Sequence, residues 1–221
     1  MDKTLLLLIN RDWTNPALDS VMATITNFSV WMPVLVFAGA LLLWKGGIRV
    51  RSFVVVTLLS VGLTDGLFTQ FTKKWVHRPR PHEALAGVRE VSLRHTHPAF
   101  AGVLQRPHVE YSPPPQERPQ AAGGRSFPSG HALNNAVIAT TAVLFFRRWG
   151  WLYSIPAVLV AYSRVYCGSH WPSDVVISAA LGVVFAWLLV QLYGRLYQRL
   201  GPRWFPDWFH RHPELIPRSC A

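Results

Sequence analysis

Cysteine is nearly absent from this chain. Its 221 residues hold two, Cys167 and Cys220. They fall near opposite ends of the predicted bundle, so no disulfide is expected. Acidic residues are also scarce, 11 against 22 Lys and Arg, and the formal net charge is +11. A nucleic-acid binder with that charge carries its bases on one face of a soluble fold. Here they cluster between apolar segments, the pattern of membrane topology or of contact with anionic headgroups. No nucleic-acid partner is therefore expected, and no obligate protein partner is evident. No internal repeat is apparent. No cleavable signal peptide is expected either, because the apolar stretch 5–9 is short and is closed by Asn10, Arg11 and Asp12.

What the chain does have is apolar length. Half its residues are hydrophobic and 10 are Trp. Residues 1–29 read as short interfacial helices. Pro16 can open the second, in which Leu18, Val21, Met22 and Ile25 share one face. Neither piece can span a hydrocarbon core of roughly 30 Å. Five candidate spans follow, at 30–44, 53–71, 132–146, 151–162 and 175–193. The expected fold is all-α: an integral-membrane helical bundle of about five to six transmembrane helices, forming one domain over 1–221. Residues 194–221 read as a basic, aromatic tail on the cytoplasmic side. The Trp residues near span ends (Trp44, Trp75, Trp151, Trp171, Trp204, Trp208) read as an aromatic belt.

The short turns carry Lys45, Arg49, Arg51, Arg147 and Arg148 and no acid. The positive-inside rule places them in the cytoplasm. The loop 76–128, about 50 residues long and rich in Pro, then faces outward; loops of that length are usually functional or disordered. Its position suggests a lid or a headgroup selector. His95, His97 and His108 lie in it, but without regularly spaced Cys or carboxylate partners they are not expected to bind a metal. Asp65 lies inside the second span. A hydrogen bond to a neighbouring helix through Asn134 or Asn135 is the favoured reading over a proton path.

Three clusters fall at span ends on the outward side. One is Lys73 with Arg80-Pro81. Another is Phe127-Pro128-Ser129-Gly130-His131. The third is Ser163-Arg164, then His170, then Asp174. A transferring phosphoryl group spreads negative charge over three oxygens and needs fixed positive charge, which Lys73, Arg80 and Arg164 can supply. Ser129, Gly130 and His131 sit where a helix begins, so free N–H groups and the positive dipole end make an anion site. His170 and Asp174 are four apart, so the carboxylate can fix the imidazole tautomer and leave the other nitrogen free to attack. His131 suits the general-acid role.

Lys73, six residues, then Arg80-Pro81; Pro128-Ser129-Gly130-His131; and Ser163-Arg164, five residues, His170, three residues, Asp174 together resemble the three motifs of the type 2 phosphatidic-acid phosphatase superfamily. The resemblance implies an all-helical membrane bundle, a phosphohistidine intermediate, no metal and no cofactor. It implies His170 as nucleophile, Asp174 orienting it, His131 as acid, and Lys73, Arg80, Ser129, Gly130 and Arg164 holding phosphate. Many members have six spans; here the first is reduced to the interfacial N-terminal region.

The expected activity is metal-independent hydrolysis of a lipid-linked phosphate or diphosphate in a bacterial-type cell or inner membrane, at its non-cytoplasmic face. Polyprenyl diphosphate is the first expectation; lipid A phosphate, phosphatidylglycerol phosphate and phosphatidate stay open. So does phosphate transfer between lipids. A vanadate-dependent haloperoxidase shares the constellation in the wider superfamily, but long apolar spans argue against it. A silent membrane scaffold would not need a complete catalytic set.

Overall fold

A segment in hydrocarbon must satisfy every backbone N–H and C=O within itself, so apolar runs of this length fold as helices. The computed structural model describes residues 1–94, 96–114 and 124–216. It opens with α1 (Asp2–Leu7) and α2 (Pro16–Thr26). Asn15 caps α2, its side chain accepting from Leu18 N–H at 2.8 Å, with Pro16 in the first turn.

Each expected span is helical. The long helices are α3 (Phe28–Lys45) and α4 (Ile48–Trp75). A short α5 (Pro81–Ala84) follows. Then come α6 (Gly130–Phe146), α7 (Ser154–Tyr166) and α8 (Pro172–Trp204), and a short α9 (Pro206–Arg211). By length and composition α3, α4 and α8 can cross a membrane. The molecule is an integral-membrane helical bundle. Its outer surface is apolar, with Val36, Phe37, Leu58, Val176 and Trp187 exposed. Such a patch is a liability in water and an asset in lipid.

The span ends differ from expectation, most of all in α8. Helix α8 does not stop near residue 193 but continues through Gly194, Gly201 and Pro202 to Trp204. Tertiary contacts outweigh those breakers. Tyr197 donates its hydroxyl to the His212 carbonyl at 2.6 Å, and Gly201 packs so closely on the Phe209 ring that a Cβ would lie 2.6 Å from it. Within α4, residues Thr64–Thr69 take wider π-type hydrogen bonding, a local bulge that often marks functional positions and here carries Asp65.

The N-terminal helices pack onto the bundle. Leu6, Ile9, Met22 and Ala23 share a buried cluster with Val88, Val91, Ala132, Tyr166 and Trp171. Asn10 is fully buried. Its amide donates to the Arg89 and Tyr166 carbonyls at 2.8 and 2.7 Å, and its side-chain oxygen accepts from Arg89 N–H at 2.8 Å. Asp19 meets the Arg89 guanidinium at 2.7 Å and accepts from the Tyr166 hydroxyl at 2.6 Å.

These contacts fasten down part of the long loop. Strands β1 (Arg89–Ser92) and β2 (His108–Tyr111) pair antiparallel, Arg89 opposite Tyr111 and Ser92 opposite His108. His108 lies 3.7 Å from the Glu110 carboxylate. His95, Pro115, Arg218 and Cys220 lie outside the described residues. Cys167 is a free, buried thiol.

Helices α6 and α8 form the central pair. Gly182 makes this possible: a Cβ there would sit 2.5 Å from the Leu133 carbonyl oxygen. Small residues at such a crossing let two backbones approach in a membrane bundle. That contact sets the start of α6 beside the start of α8, where two of the three sequence clusters lie.

Candidate active site

The turn between α7 and α8 fixes His170. Gly168 has φ +70°, and a Cβ there would lie 2.4 Å from the Arg89 carbonyl oxygen, so only glycine fits. After it the chain doubles back. The amides of Ser169 and His170 both donate to the Arg164 carbonyl, at 3.1 and 3.2 Å. Arg164 and His170 are thereby locked together by backbone.

The His170 side chain is buried, and its Nδ1 lies 2.6 Å from the Ser126 carbonyl oxygen. A carbonyl only accepts, so Nδ1 carries the proton and Nε2 keeps its lone pair. Burial, then the charges of Arg164 and Arg80, push the imidazole well below its ordinary pKa; the Ser126 carbonyl opposes this and Lys73 adds to it. His170 is thus a neutral base with a fixed tautomer.

Asp174 does not orient His170 by the expected direct bond. Its carboxylate accepts from the Ser126 hydroxyl at 2.5 Å, from Arg78 Nη1 at 2.5 Å and from Trp171 N–H at 3.3 Å. Placed at the third residue of α8, it is committed to capping that helix. It reaches His170 one residue removed, by holding Ser126. Arg78 continues the network, bridging from Asp174 to Asp2 at 2.7 Å. Asp2 also accepts from Ser173 N–H at 2.9 Å and Ser173 Oγ at 2.6 Å. Trp171 belongs here and not to an aromatic belt: it is buried, its indole donates to the Pro79 carbonyl at 2.8 Å, and Arg78 lies over its ring.

The second cluster presents donors. Ser129 is the N-cap of α6, yet its side chain makes no capping bond. Its amide donates to Ser178 Oγ at 2.9 Å, while its own Oγ is buried without a partner. Gly130 backs against α4, where a Cβ would come 3.1 Å from Asp65 Oδ1. Asp65 therefore faces this turn. Of the two expected partners, Asn135 is occupied elsewhere, its Oδ1 accepting from the Tyr153 hydroxyl at 3.2 Å and its amide donating to the His131 carbonyl at 2.9 Å, and the Asn134 Oδ1 is buried without a partner.

Fixed positive charge converges on the same place. Lys73 feels the fields of Arg80, Arg164 and Arg125, with Asp65 opposing them, and His131 feels Arg164 and Lys73. Arg80 is set by the start of α5, where its amide donates to Glu83 at 2.7 Å. Arg164 Nη1 donates to Thr26 Oγ1, and its Nε is buried without a partner. An unpaired buried donor is costly unless an acceptor arrives, and an anion with several oxygens is such an acceptor. Cys167 offers no competing nucleophile: burial pushes its thiol up to about 12.

All eight residues singled out by sequence thus lie in or beside one region. Five further contributors, Ser126, Arg78, Arg125, Thr26 and Asp2, were not. Ser126 and Arg125 directly precede the Phe127-Pro128 turn, and Arg78 lies between Lys73 and Arg80, so proximity to the motifs was their one available signal. Asp2 had none.

The fold matches solved structures. The LpxE protein of Aquifex aeolicus superposes with a TM-score of 0.56 at 23% identity, covering 86% of this chain and 94% of that one. A PAP2-type phosphatidylglycerolphosphate phosphatase from Bacillus subtilis gives 0.56 at 24% identity, covering 88% and 87%. Among curated sequences, a lipid A 4'-phosphatase of Bacteroides thetaiotaomicron is 29% identical over 84% of this chain and 74% of its own length. An undecaprenyl-diphosphatase of Sulfolobus acidocaldarius is 48% identical over 68 residues, 30% of this chain and 33% of that protein's length. The sequence profile of the PAP2 superfamily matches residues 50–198, which contain all three clusters, and the chain belongs to that superfamily.

Proposed function

We propose that the protein is a membrane lipid phosphatase that works through a phosphohistidine, with His170 as nucleophile. The single observation that carries this reading is the neutral, buried His170 with Nδ1 held by the Ser126 carbonyl, set among Lys73, Arg80 and Arg164. His170 Nε2 attacks phosphorus and the bond to the leaving oxygen breaks. His131, protonated once the phosphate dianion offsets the cations beside it, gives its proton to that oxygen. Lys73, Arg80, Arg164, the Ser129 hydroxyl and the free amides at the start of α6 hold the three equatorial oxygens as charge builds on them. Water then attacks the phosphohistidine; His131 takes the water's proton, and phosphate leaves with His170 neutral again.

A lipid phosphate or diphosphate is the substrate class, since the names of relatives include lipid A phosphatases and undecaprenyl-diphosphatases. Polyprenyl diphosphate is the first choice within it. The basic short turns support an outward-facing site.

The test is phosphate release by the detergent-purified protein, with and without EDTA, against polyprenyl diphosphate, lipid A, phosphatidylglycerol phosphate and phosphatidate. Metal-independent release that vanishes in His170→Ala is expected. Loss of activity in EDTA, restored by a divalent ion, would overturn the metal-free mechanism, and full activity in His170→Ala would overturn the nucleophile.

A further inference from the structure

A cavity of about 390 Å³ lies between α3 and α7. Trp31, Val34 and Leu35 line it from α3, and Pro156 and Leu159 from α7. No residue of α3 is buried. That helix is tied near its ends, where the Trp31 indole donates to the Thr24 carbonyl at 3.0 Å and Arg51 donates to the Trp44 carbonyl at 3.0 Å. Between these ties a gap opens toward α7.

Two features join this cavity to the candidate active site. His131 is part of its lining. So is Thr26, which accepts from Arg164. The polar groups in the wall are otherwise matched: Asn135 bonds Tyr153 and the His131 carbonyl. An apolar occupant therefore strands no donor or acceptor among them, as a site for a hydrocarbon chain requires.

We infer that this cavity holds the hydrocarbon next to the phosphate of a single-chain lipid phosphate, and that the α3–α7 gap selects such chains over diacyl ones. The inference rests on the phosphatase reading above. At about 390 Å³ the cavity lies near the lower end of ligand pockets, which run from about 300 to 1,000 Å³. That suits one chain, not two abreast. Farther isoprene units would continue past the exposed faces of Val34 and Leu35 into the bilayer. A lipid that merely fills the gap is the alternative occupant, and it predicts no effect on catalysis.

Leu35→Trp and Leu159→Trp narrow the cavity from opposite walls, and neither residue is one of the proposed catalytic or phosphate-holding groups. For both variants, kcat/KM on a long prenyl diphosphate should fall by at least about tenfold, the scale on which an apolar pocket discriminates. Turnover of p-nitrophenyl phosphate, which has no chain, should stay within about twofold. Unchanged prenyl turnover, or equal losses on both substrates, overturns the inference.

Labelling decides the matter independently of turnover. A prenyl phosphate carrying a diazirine near its head should mark residues 31–35 or 156–160, and marking confined to other surfaces overturns the chamber. Wild-type protein inactive on every lipid phosphate would sink the phosphatase reading while this labelling still judged the chamber.

Discussion

The Ser126 carbonyl oxygen lies 2.6 Å from His170 Nδ1, while the hydroxyl of the same serine lies 2.5 Å from Asp174. One residue thus stands between the proposed nucleophile and the carboxylate expected to orient it. The backbone sets the tautomer, and the side chain lets Asp174 position that backbone. Residues that orient a metal-bound imidazole are worth about 10–100-fold, and the same scale is taken for this metal-free one. Ser126→Ala keeps the carbonyl but frees it to move, so kcat should fall by about tenfold. Asp174→Ala should cost more, since Arg78 then loses one of its two carboxylate partners as well. The double variant should be little worse than Asp174→Ala alone. Fully additive losses would show that Ser126 and Asp174 act separately.

Arg78 is a positioning residue in this scheme. Its fork is spent on Asp2 and Asp174, not on phosphate. Arg78→Ala should therefore lower kcat by about tenfold while KM moves little. Arg78→Lys should recover part of the loss, because an ammonium can meet one carboxylate well but lacks the planar fork for both. A rise in KM with kcat preserved would make Arg78 a phosphate ligand instead.

How much of this was legible in the sequence depends on what kind of contact each feature rests on. The apolar runs were readable because the bilayer demands a continuous stretch of one polarity, and all five became helices. The phosphate-handling residues were readable because Lys73-to-Arg80, Pro128-to-His131 and Arg164-to-Asp174 are local spacings. The contacts of Asn10, Asp19 and Asp2 were not. They join residues far apart in sequence through single side chains, which leave no periodicity behind. Asp174 shows the limit in another way. A four-residue spacing allows a contact with His170, but it also places the carboxylate at the start of α8, where the helix's own amides and Ser126 compete for it. The end of α8 was misplaced because Gly194, Gly201 and Pro202 read as stops, and only the packing of Tyr197 and Phe209 overrides them.

The pH dependence should follow His170. Burial with Arg164, Arg80 and Lys73 nearby depresses its pKa, so the neutral nucleophile persists as pH falls through 6.5, the ordinary imidazole value. The acid limb of kcat/KM assigned to the free enzyme should lie below that value. Replacing Arg80 by Met removes a cation that disfavours the imidazolium. The limb should then shift to higher pH, along with a fall in absolute rate. A shift to lower pH, or none, would contradict the proposed electrostatic control of His170.

The Asp19–Arg89 pair should matter for stability more than for chemistry. Both side chains are buried, 8% exposed each, and their closest approach is 2.7 Å. Asp19→Ala leaves the guanidinium buried without its carboxylate and also strips the acceptor from the Tyr166 hydroxyl. Breaking a buried pair on one side costs about 3–5 kcal/mol, whereas replacing both partners by apolar residues can be nearly neutral. Thermal unfolding in detergent should show a marked fall for Asp19→Ala and a smaller one for Asp19→Leu with Arg89→Met. The pair anchors β1, whose Arg89 carbonyl closes over Gly168, so the single variant should also lose activity at temperatures where it is still folded. If the double variant is no more stable than the single one, an unpaired buried charge is not the source of the loss, and β1 is held chiefly by Asn10, in the segment after α1.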